Sequence, residues 1–221
     1  MATAPESTEL NHKGKDLSRG QMAGLLVGGA LLGLLIAWLL LRVIQERPFG
    51  PYQYHGLQIQ SPPPLTNIRL TSHTGEPISL TDMRGKLVVL YFGYTYCPDV
   101  CPATMVELKK MMAELGRQAD KVQVVMVSVD PERDQPAQLG EYVTQFHPSF
   151  IGVTGTEEEL LAATTQLGIF FEKHEGTPAT GYLIDHTATV NVLDENGRLI
   201  LVFPFGVTGA DMAEDLRHLL K

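Results

Sequence analysis

The chain has 221 residues, of which 44% are hydrophobic, and its formal net charge at pH 7 is −8. Once any membrane segment is set aside, this length suits one domain with its own hydrophobic core. The acidic balance, together with a sequence that contains no basic patch, excludes a nucleic-acid-binding protein.

An uncharged stretch of 21 residues runs from Gln21 to Leu41. As a helix it would be roughly 31 Å long, which is the thickness of the hydrocarbon core of a bilayer. A cleaved signal peptide has a shorter apolar region and a small-residue cleavage site, and a buried core helix is the other alternative. We predict a retained transmembrane anchor over residues 21–44, preceded by a short cytoplasmic segment, residues 1–20.

Basic residues flank this segment unevenly, with three before it and two after it: Lys13, Lys15, Arg19, Arg42 and Arg47. The slight excess in front favours a cytoplasmic N-terminus. We therefore expect a single-pass protein of the bacterial inner membrane whose C-terminal domain lies in the periplasm. A mitochondrial inner-membrane protein that faces the intermembrane space is the alternative, but the N-terminus lacks the Arg-rich pattern of a transit peptide.

Proline and glycine, which interrupt helices and strands, are frequent after the anchor and include the triplet Pro62–Pro64. We interpret residues 45–64 as a linker and residues 65–221 as one domain. In that domain, apolar patterns predict strands over Lys86–Gly93, Lys121–Val129, Thr189–Leu193 and Arg198–Phe203, and helices after the cysteines, over 136–146, over 156–167 and over Gly209–Leu220. This order predicts an α/β, thioredoxin-like fold in which helices flank a central sheet.

The chain contains two cysteines, Cys97 and Cys101, in the segment YTYCPDVCP after the first central strand. We expect a helix to begin near Pro98, so that Cys97 lies at a helix N-terminus, where a thiolate is favoured. Cys101 would then lie on the same helix face, and the two sulfur atoms would converge. The spacing permits a structural disulfide, a redox pair or a shared metal, although a disulfide across so short a loop would stabilise little.

Three segments resemble the Sco/SenC family in sequence, order and spacing: YFGYTYCPDVCP, VSVDPERD and YLIDHTATVNVLDENG. The likeness runs from about residue 65 to the C-terminus. Members of that family are membrane-anchored copper chaperones of thioredoxin fold that act in cytochrome c oxidase assembly. The resemblance therefore implies both the fold and a copper-related function.

The resemblance also implies the site. Its copper ligands match Cys97, Cys101 and His186, and the two cysteines would also form a redox disulfide. Asp130 and Asp185 are expected beside the ligands, in an architectural or supporting role. Thiolates select Cu(I), whereas imidazole binds Cu(I) and Cu(II), so the expected cofactor is copper in either state. The same ligands could hold Zn²⁺ with a water molecule, but the sequence offers no evident fourth ligand.

The remaining histidines are expected outside the site. His174, in FFEKHEG, is placed in a long loop that could approach the copper. The others are assigned to the segment before the anchor, to the linker or to the solvated surface: His12, His55, His73, His147 and His218.

We predict a metallochaperone rather than an enzyme, which passes copper to the binuclear site of a cytochrome oxidase subunit. In an oxidising compartment its cysteines must first be reduced, so a copper donor and a thiol reductant are expected partners. The main alternative is a thiol:disulfide reductase that acts on the oxidase subunit or another exported client. Against a general redox enzyme, Ala188 stands where thioredoxin-like oxidoreductases carry a cis-proline. A sensor is a further alternative, but the chain has no separate effector domain.

Overall fold

The computed structural model describes residues 18–45, 52–62, 65–66, 68–83, 85–177 and 180–221. Its contacts divide the chain into two units, one ending at Tyr52 and the other running from Gln53 to Lys221. In the first unit, α1 (Arg19–Gln45) is one continuous helix. Its part from Arg19 to Arg42 is long and apolar enough to cross a membrane, and no side chain in it is buried. The helix fits the predicted single-pass anchor, whereas most of segment 1–20 lies outside the described residues.

The second unit contains ten strands and four helices within the described residues. In chain order they are β1 (Leu57–Gln58), β2 (Arg69–Ser72), β3 (Pro77–Ser79), β4 (Leu87–Gly93), α2 (Val100–Leu115), β5 (Val122–Ser128), α3 (Pro136–Phe146), β6 (Ile151–Thr154), α4 (Glu157–Leu167), β7 (Phe171–Glu175), β8 (Tyr182–His186), β9 (Val190–Leu193), β10 (Leu199–Phe203) and α5 (Gly209–Leu219). Short 3-10 turns follow β3 and α2.

Eight of these strands form one sheet in the order β1-β10-β9-β4-β5-β6-β2-β3. The central strands β4, β5 and β6 are parallel, and the strands outside them pair antiparallel. β7 and β8 form a separate antiparallel hairpin, here called the His186 hairpin because His186 ends it. This arrangement confirms the predicted thioredoxin-like α/β fold.

The centre of the sheet is apolar because both of its faces are covered. Every residue of β4 (LVVLYFG) is buried, and in β5 (VQVVMVS) Gln123 alone is half-exposed. Parallel strands covered on both faces have such continuous apolar sequences. The carboxyl end of β4 carries the chain out of this core at Gly93, directly before the two cysteines.

Local sequence signals account for several element boundaries. α4 begins with the predicted capping box, in which the Thr156 side chain accepts the Glu159 N–H and the Glu159 carboxylate accepts the Thr156 N–H. Between β9 and β10, the Asp194 carboxylate accepts the N–H groups of Asn196 and Arg198. Gly197 completes this turn at a φ of 77°, which side chains rarely tolerate. The predicted hairpin is therefore confirmed.

The segment before residue 65 contributes to the sheet. The sequence predicts a linker over residues 45–64, but Leu57 and Gln58 pair with β10 as strand β1. The buried Asp215 carboxylate of α5 accepts the N–H groups of His55 and Gly56, at 2.8 and 3.0 Å. A side chain at Gly56 would lie 2.9 Å from Leu201 Cγ. A two-residue strand is too short to produce a recognisable pattern, so the sequence did not indicate it.

Candidate metal centre

The helix that carries Cys101 begins later than expected. After β4 the chain turns, with the Cys97 N–H donating to the Tyr94 carbonyl, and α2 starts at Val100 rather than near Pro98. Pro102 gives the reason. As the third residue of α2 its missing N–H costs nothing, whereas in a helix that began at Pro98 it would break the second turn. Cys97 therefore lies in the turn before the helix, and Cys101 lies in its first turn.

This turn is held by a buried carboxylate. Asp134, which follows β5, accepts hydrogen bonds from the Thr95 N–H at 2.9 Å, the Thr95 hydroxyl at 2.5 Å and the Ser128 hydroxyl at 2.6 Å. Burial raises the pKa of Asp134 above its usual range, against these hydrogen bonds. Asp134 thus fixes the start of the cysteine loop on the neighbouring strand.

His186 completes a group of three metal-ligating side chains. It is the last residue of β8, opposite Phe171 in the hairpin. Its Nε2 atom lies 3.3 Å from Cys101 Sγ, and its Nδ1 atom lies 3.3 Å from the Thr187 carbonyl oxygen. The ligand atoms of Cys97, Cys101 and His186 all lie within 4.8 Å of one another. The structure therefore brings together the three residues predicted from the sequence, in an arrangement able to bind a metal ion.

Two tyrosines and a glycine surround this group. The rings of Tyr91 and Tyr94 both meet the His186 ring edge-on, each at a centroid distance of 6.1 Å. The Tyr94 hydroxyl also accepts the Ile184 N–H, at 3.2 Å, which ties the hairpin to the end of β4. At Gly93, a Cβ atom would lie 2.9 Å from Cys101 Sγ. The glycine therefore makes room for the buried sulfur.

The two sulfur atoms share one proton unequally. A hydrogen bond from the Cys101 thiol is the largest cause that lowers the pKa of Cys97 to about 3. His186 and the N–H groups of Asp99 and Cys101 act in the same direction, and burial opposes them. The same hydrogen bond, together with burial, raises the pKa of Cys101 far above its usual range. Cys97 is therefore the thiolate, as expected; the Cys101 thiol is the main cause, and the N–H groups at the start of α2 add to it.

The VDPERD segment ties the His186 hairpin to the sheet. Asp130 is buried; it accepts a hydrogen bond from the Tyr182 hydroxyl at 2.6 Å and forms an ion pair with Arg133. The Arg133 guanidinium lies over three rings, those of Tyr182 at 3.6 Å, Tyr96 at 4.8 Å and Tyr94 at 5.6 Å. Such cation–π contacts hold the hairpin, the cysteine loop and the loop after β5 together. The described hydrogen bonds of Asp130 are thus architectural.

Asp185 and His174 contact each other across the His186 hairpin, and Asp185 also contributes to the lining of a cavity beside Cys97 and His186. Asp185 is 78% exposed at its side chain, and its Oδ2 atom lies 3.1 Å from His174 Nε2. His174 belongs to β7, opposite Leu183, so its predicted place in a long loop was wrong. The strand FEKHE is mostly exposed because the hairpin lies outside the main sheet, and it therefore lacks the alternation that marks a strand.

Three other histidines have partners that the sequence did not indicate. His55 Nδ1 lies 3.0 Å from an Asp215 carboxylate oxygen, and this hydrogen bond raises the pKa of His55. His73 is half-buried, and its Nδ1 atom accepts the Gly152 N–H. His218 packs edge-on against Tyr54. None of these contacts involves the sulfur atoms, and His12 lies outside the described residues.

One side of the group is open to solvent. Cys97 is half-buried whereas Cys101 is fully buried. A cavity of about 240 Å³ lies beside them, and Pro98, Leu183 and His186 contribute to its lining. A metal held by the three ligand atoms would be approached from the side of Cys97 and His186.

The domain thus combines a thioredoxin-like fold with a Cys₂His group at the end of its central strand. This combination is typical of a metal-binding protein. Residues 62–221 match the sequence profile of the SCO1/SenC family, so the chain belongs to that family.

Relatives and solved structures agree with this membership. The mitochondrial SCO2 homologue of Mus musculus is 32% identical over 188 residues, which cover 84% of this chain and 73% of the relative. The solution structure of apo Sco1 from Thermus thermophilus is 38% identical, with a TM-score of 0.68, and the match covers 76% of this chain and 98% of that one. Copper-bound ScoI of Bradyrhizobium japonicum is 33% identical, with a TM-score of 0.65, over 71% of this chain and 99% of that one.

Proposed function

We propose that this protein is a membrane-anchored copper chaperone, which binds one copper ion through Cys97, Cys101 and His186 and delivers it to the binuclear copper site of a cytochrome oxidase subunit. The observation that carries this proposal is the convergence of the three ligand atoms within 4.8 Å. The structures of related Sco proteins with copper bound also support the proposal.

The chemistry of the group suits a copper ion that is held and then passed on. Two soft sulfur ligands favour Cu(I), and imidazole also accepts Cu(II). No fourth histidine, cysteine or carboxylate of the described residues joins the group, so a three-coordinate ion keeps an open position. The half-buried Cys97 stands on the open side, where a ligand of the recipient can replace it. Zinc would prefer a fourth ligand, which the site does not supply.

The same ligands set the conditions for loading. The two cysteines do not form a disulfide in this structure, and as a disulfide they would have no thiolate to offer. A thiol reductant must therefore act before a copper donor can load the site. We further propose a single-pass anchor in a bacterial inner membrane with the domain on the periplasmic side. The length and apolar composition of α1 support the anchor, and the excess of basic residues before it supports the orientation. Protease added to intact spheroplasts should then digest the C-terminal domain, whereas protection of the domain would reverse the orientation.

Copper titration tests the proposed site. The full chain, reduced and kept anaerobic in detergent micelles, should bind one Cu(I) per chain. His186→Ala should weaken this binding by more than about 100-fold, since loss of even a supporting residue costs a metal site 10–100-fold. His174→Ala is the matched control, because it removes an imidazole from the same hairpin that contacts Asp185 and not the sulfurs. Wild-type affinity in His186→Ala would refute the three-ligand site.

Delivery needs a separate measurement. Copper-loaded protein mixed with the copper-free domain of the oxidase subunit should produce the absorption of the binuclear centre. If copper stayed on this protein under reducing conditions, the delivery step would be refuted while copper binding stood.

The second candidate is a thiol:disulfide reductase, and the state of the cysteines favours it. Cys97 is a half-buried thiolate, suited to attack a disulfide, and the buried thiol of Cys101 stands next to it to resolve the mixed disulfide. His186→Ala should then lose copper but still reduce glutathione disulfide. If the wild-type protein reduced neither glutathione disulfide nor the oxidised oxidase subunit, this second activity would be excluded.

A further inference from the structure

Tyr91 lies within β4, and its side chain is fully buried. Its hydroxyl is one of four buried side-chain polar atoms in the described part of the chain that have no hydrogen-bond partner. Because folding removes such a group from water without a replacement partner, it destabilises the native state. An unpaired buried hydroxyl in a native structure therefore calls for a physical explanation.

The surroundings of Tyr91 indicate which state that is. The position of a Cβ atom on Gly93 would lie 2.9 Å from Cys101 Sγ and 3.4 Å from Tyr91 Cζ, the carbon that bears the hydroxyl. The Tyr91 ring also meets the His186 ring edge-on. Tyr91 therefore borders two of the three ligands. The Cys101 sulfur and the Tyr91 ring thus pack against the same point at Gly93, and the Tyr91 hydroxyl makes no hydrogen bond to the sulfur.

The Cys101 sulfur changes its character when copper binds. In the metal-free protein it is a protonated thiol, which is a weak hydrogen-bond acceptor. In the copper-loaded protein it is a thiolate, and hydrogen bonds to charged acceptors are about twice as strong as neutral ones. Since Cys101 is fully buried, water cannot supply that hydrogen bond. The Thr104 hydroxyl also lies near Tyr91, and its own hydrogen is donated to the Val100 carbonyl.

We propose that Tyr91 is a reserve hydrogen-bond donor, which pairs with the Cys101 thiolate when copper is bound and stays unpaired when it is not. On loading, the Cys101 proton leaves to solvent and the Tyr91 hydroxyl takes over the position next to the sulfur. A disulfide sulfur is neutral and again a weak acceptor. Tyr91 therefore stabilises the copper-loaded protein selectively over both metal-free forms. This inference rests on the proposed copper site.

The test compares Tyr91→Phe with the wild-type full chain, reduced and anaerobic in detergent micelles. Competition with a chromophoric Cu(I) chelator should show about tenfold weaker Cu(I) binding in the variant, which is the loss of one charge-assisted hydrogen bond. The melting temperature of the metal-free variant should be unchanged or higher, because the unpaired hydroxyl is gone. In the Cu(II)-loaded form, the sulfur-to-copper absorption should move to longer wavelength, since the sulfur loses a stabilising donor.

Tyr142→Phe is the matched control. The Tyr142 hydroxyl is also buried and unpartnered, but it feels the cysteines through their charge alone, and its ring packs on Phe146. This variant should keep wild-type copper affinity. Wild-type affinity and spectrum in Tyr91→Phe would overturn the inference, as would an equal loss in Tyr142→Phe or a parallel loss of metal-free stability. If the wild-type protein bound no copper, the proposed function itself would fall, and this inference with it.

Discussion

Replacement of Gly93 by alanine tests how closely the candidate metal centre is packed. The added methyl group would lie 2.9 Å from two atoms, Cys101 Sγ and Tyr91 Cε1. Both neighbours are fully buried, so neither can turn into solvent to make room. The substitution must therefore displace a sulfur ligand, the ring beside it, or both.

The size of the effect follows from this crowding. Overpacking of a buried site costs about 1–3 kcal/mol. For a domain of this length, each kcal/mol lowers the melting temperature by about 2–4 °C, so the expected loss for Gly93→Ala is about 2–12 °C. Because the displaced sulfur is a proposed copper ligand, Cu(I) affinity should fall as well, by about tenfold or more.

Gly152→Ala separates packing from metal binding. Its Cβ atom would lie 2.5 Å from Leu139 Cγ, away from the sulfur atoms. This variant should lose stability like Gly93→Ala, while its folded fraction binds Cu(I) with wild-type affinity. The assays are thermal unfolding of the metal-free protein and competition for Cu(I). A Gly93→Ala protein with wild-type melting temperature and affinity would refute the crowding around the Cys101 sulfur.

Two further predictions concern other parts of the domain. Asp215→Ala should destabilise the metal-free protein by about 2–4 kcal/mol, because the buried Gly56 N–H and the partly buried His55 N–H lose their acceptor. The same change at the partly exposed Asp211 should cost less, and equal losses in thermal unfolding would contradict this assignment. Alkylation of Cys97 by iodoacetamide should proceed at a nearly constant rate from pH 5 to pH 8, because its lowered pKa of about 3 keeps it ionised throughout. A tenfold rise per pH unit, as for an ordinary thiol, would show that its pKa is not lowered.

The elements that the sequence predicted are those whose pattern is complete within one segment. β4 and β5 are continuous apolar runs, and α4 carries its capping box in its own first turn. β6 was missed because IGVT is four residues long and contains a glycine, which weakens any strand pattern. β2, β3 and the His186 hairpin are also short and of mixed polarity. Their strand conformation depends on partners that are distant in sequence.

The candidate site likewise has features that the sequence predicted and features that depend on residues distant in sequence. The family motif predicted all three side chains that the structure brings together, whereas the spacing of the cysteines alone left a disulfide, a redox pair and a metal site open. The motif did not show why Gly93 ends a buried strand, although a glycine there marks a close approach of another group. The contacts of Arg133 with three tyrosine rings join residues from three separate segments, and a single sequence does not reveal such a cluster. Pro102 is the sequence signal for the observed helix start, because proline is tolerated in the first turn of a helix but not in its second.

Strand β1 has a practical consequence for preparing a water-soluble fragment. It covers the outer edge of β10, with the Ile59 N–H donating to the Ile200 carbonyl. A fragment that starts after the prolines, at residue 65, would leave the polar groups of β10 open along that edge. Because the unpaired N–H and C=O groups of an edge strand can bond to a strand of another chain, such a fragment should self-associate. A fragment that starts at Gln53 keeps the edge closed and leaves the apolar helix behind.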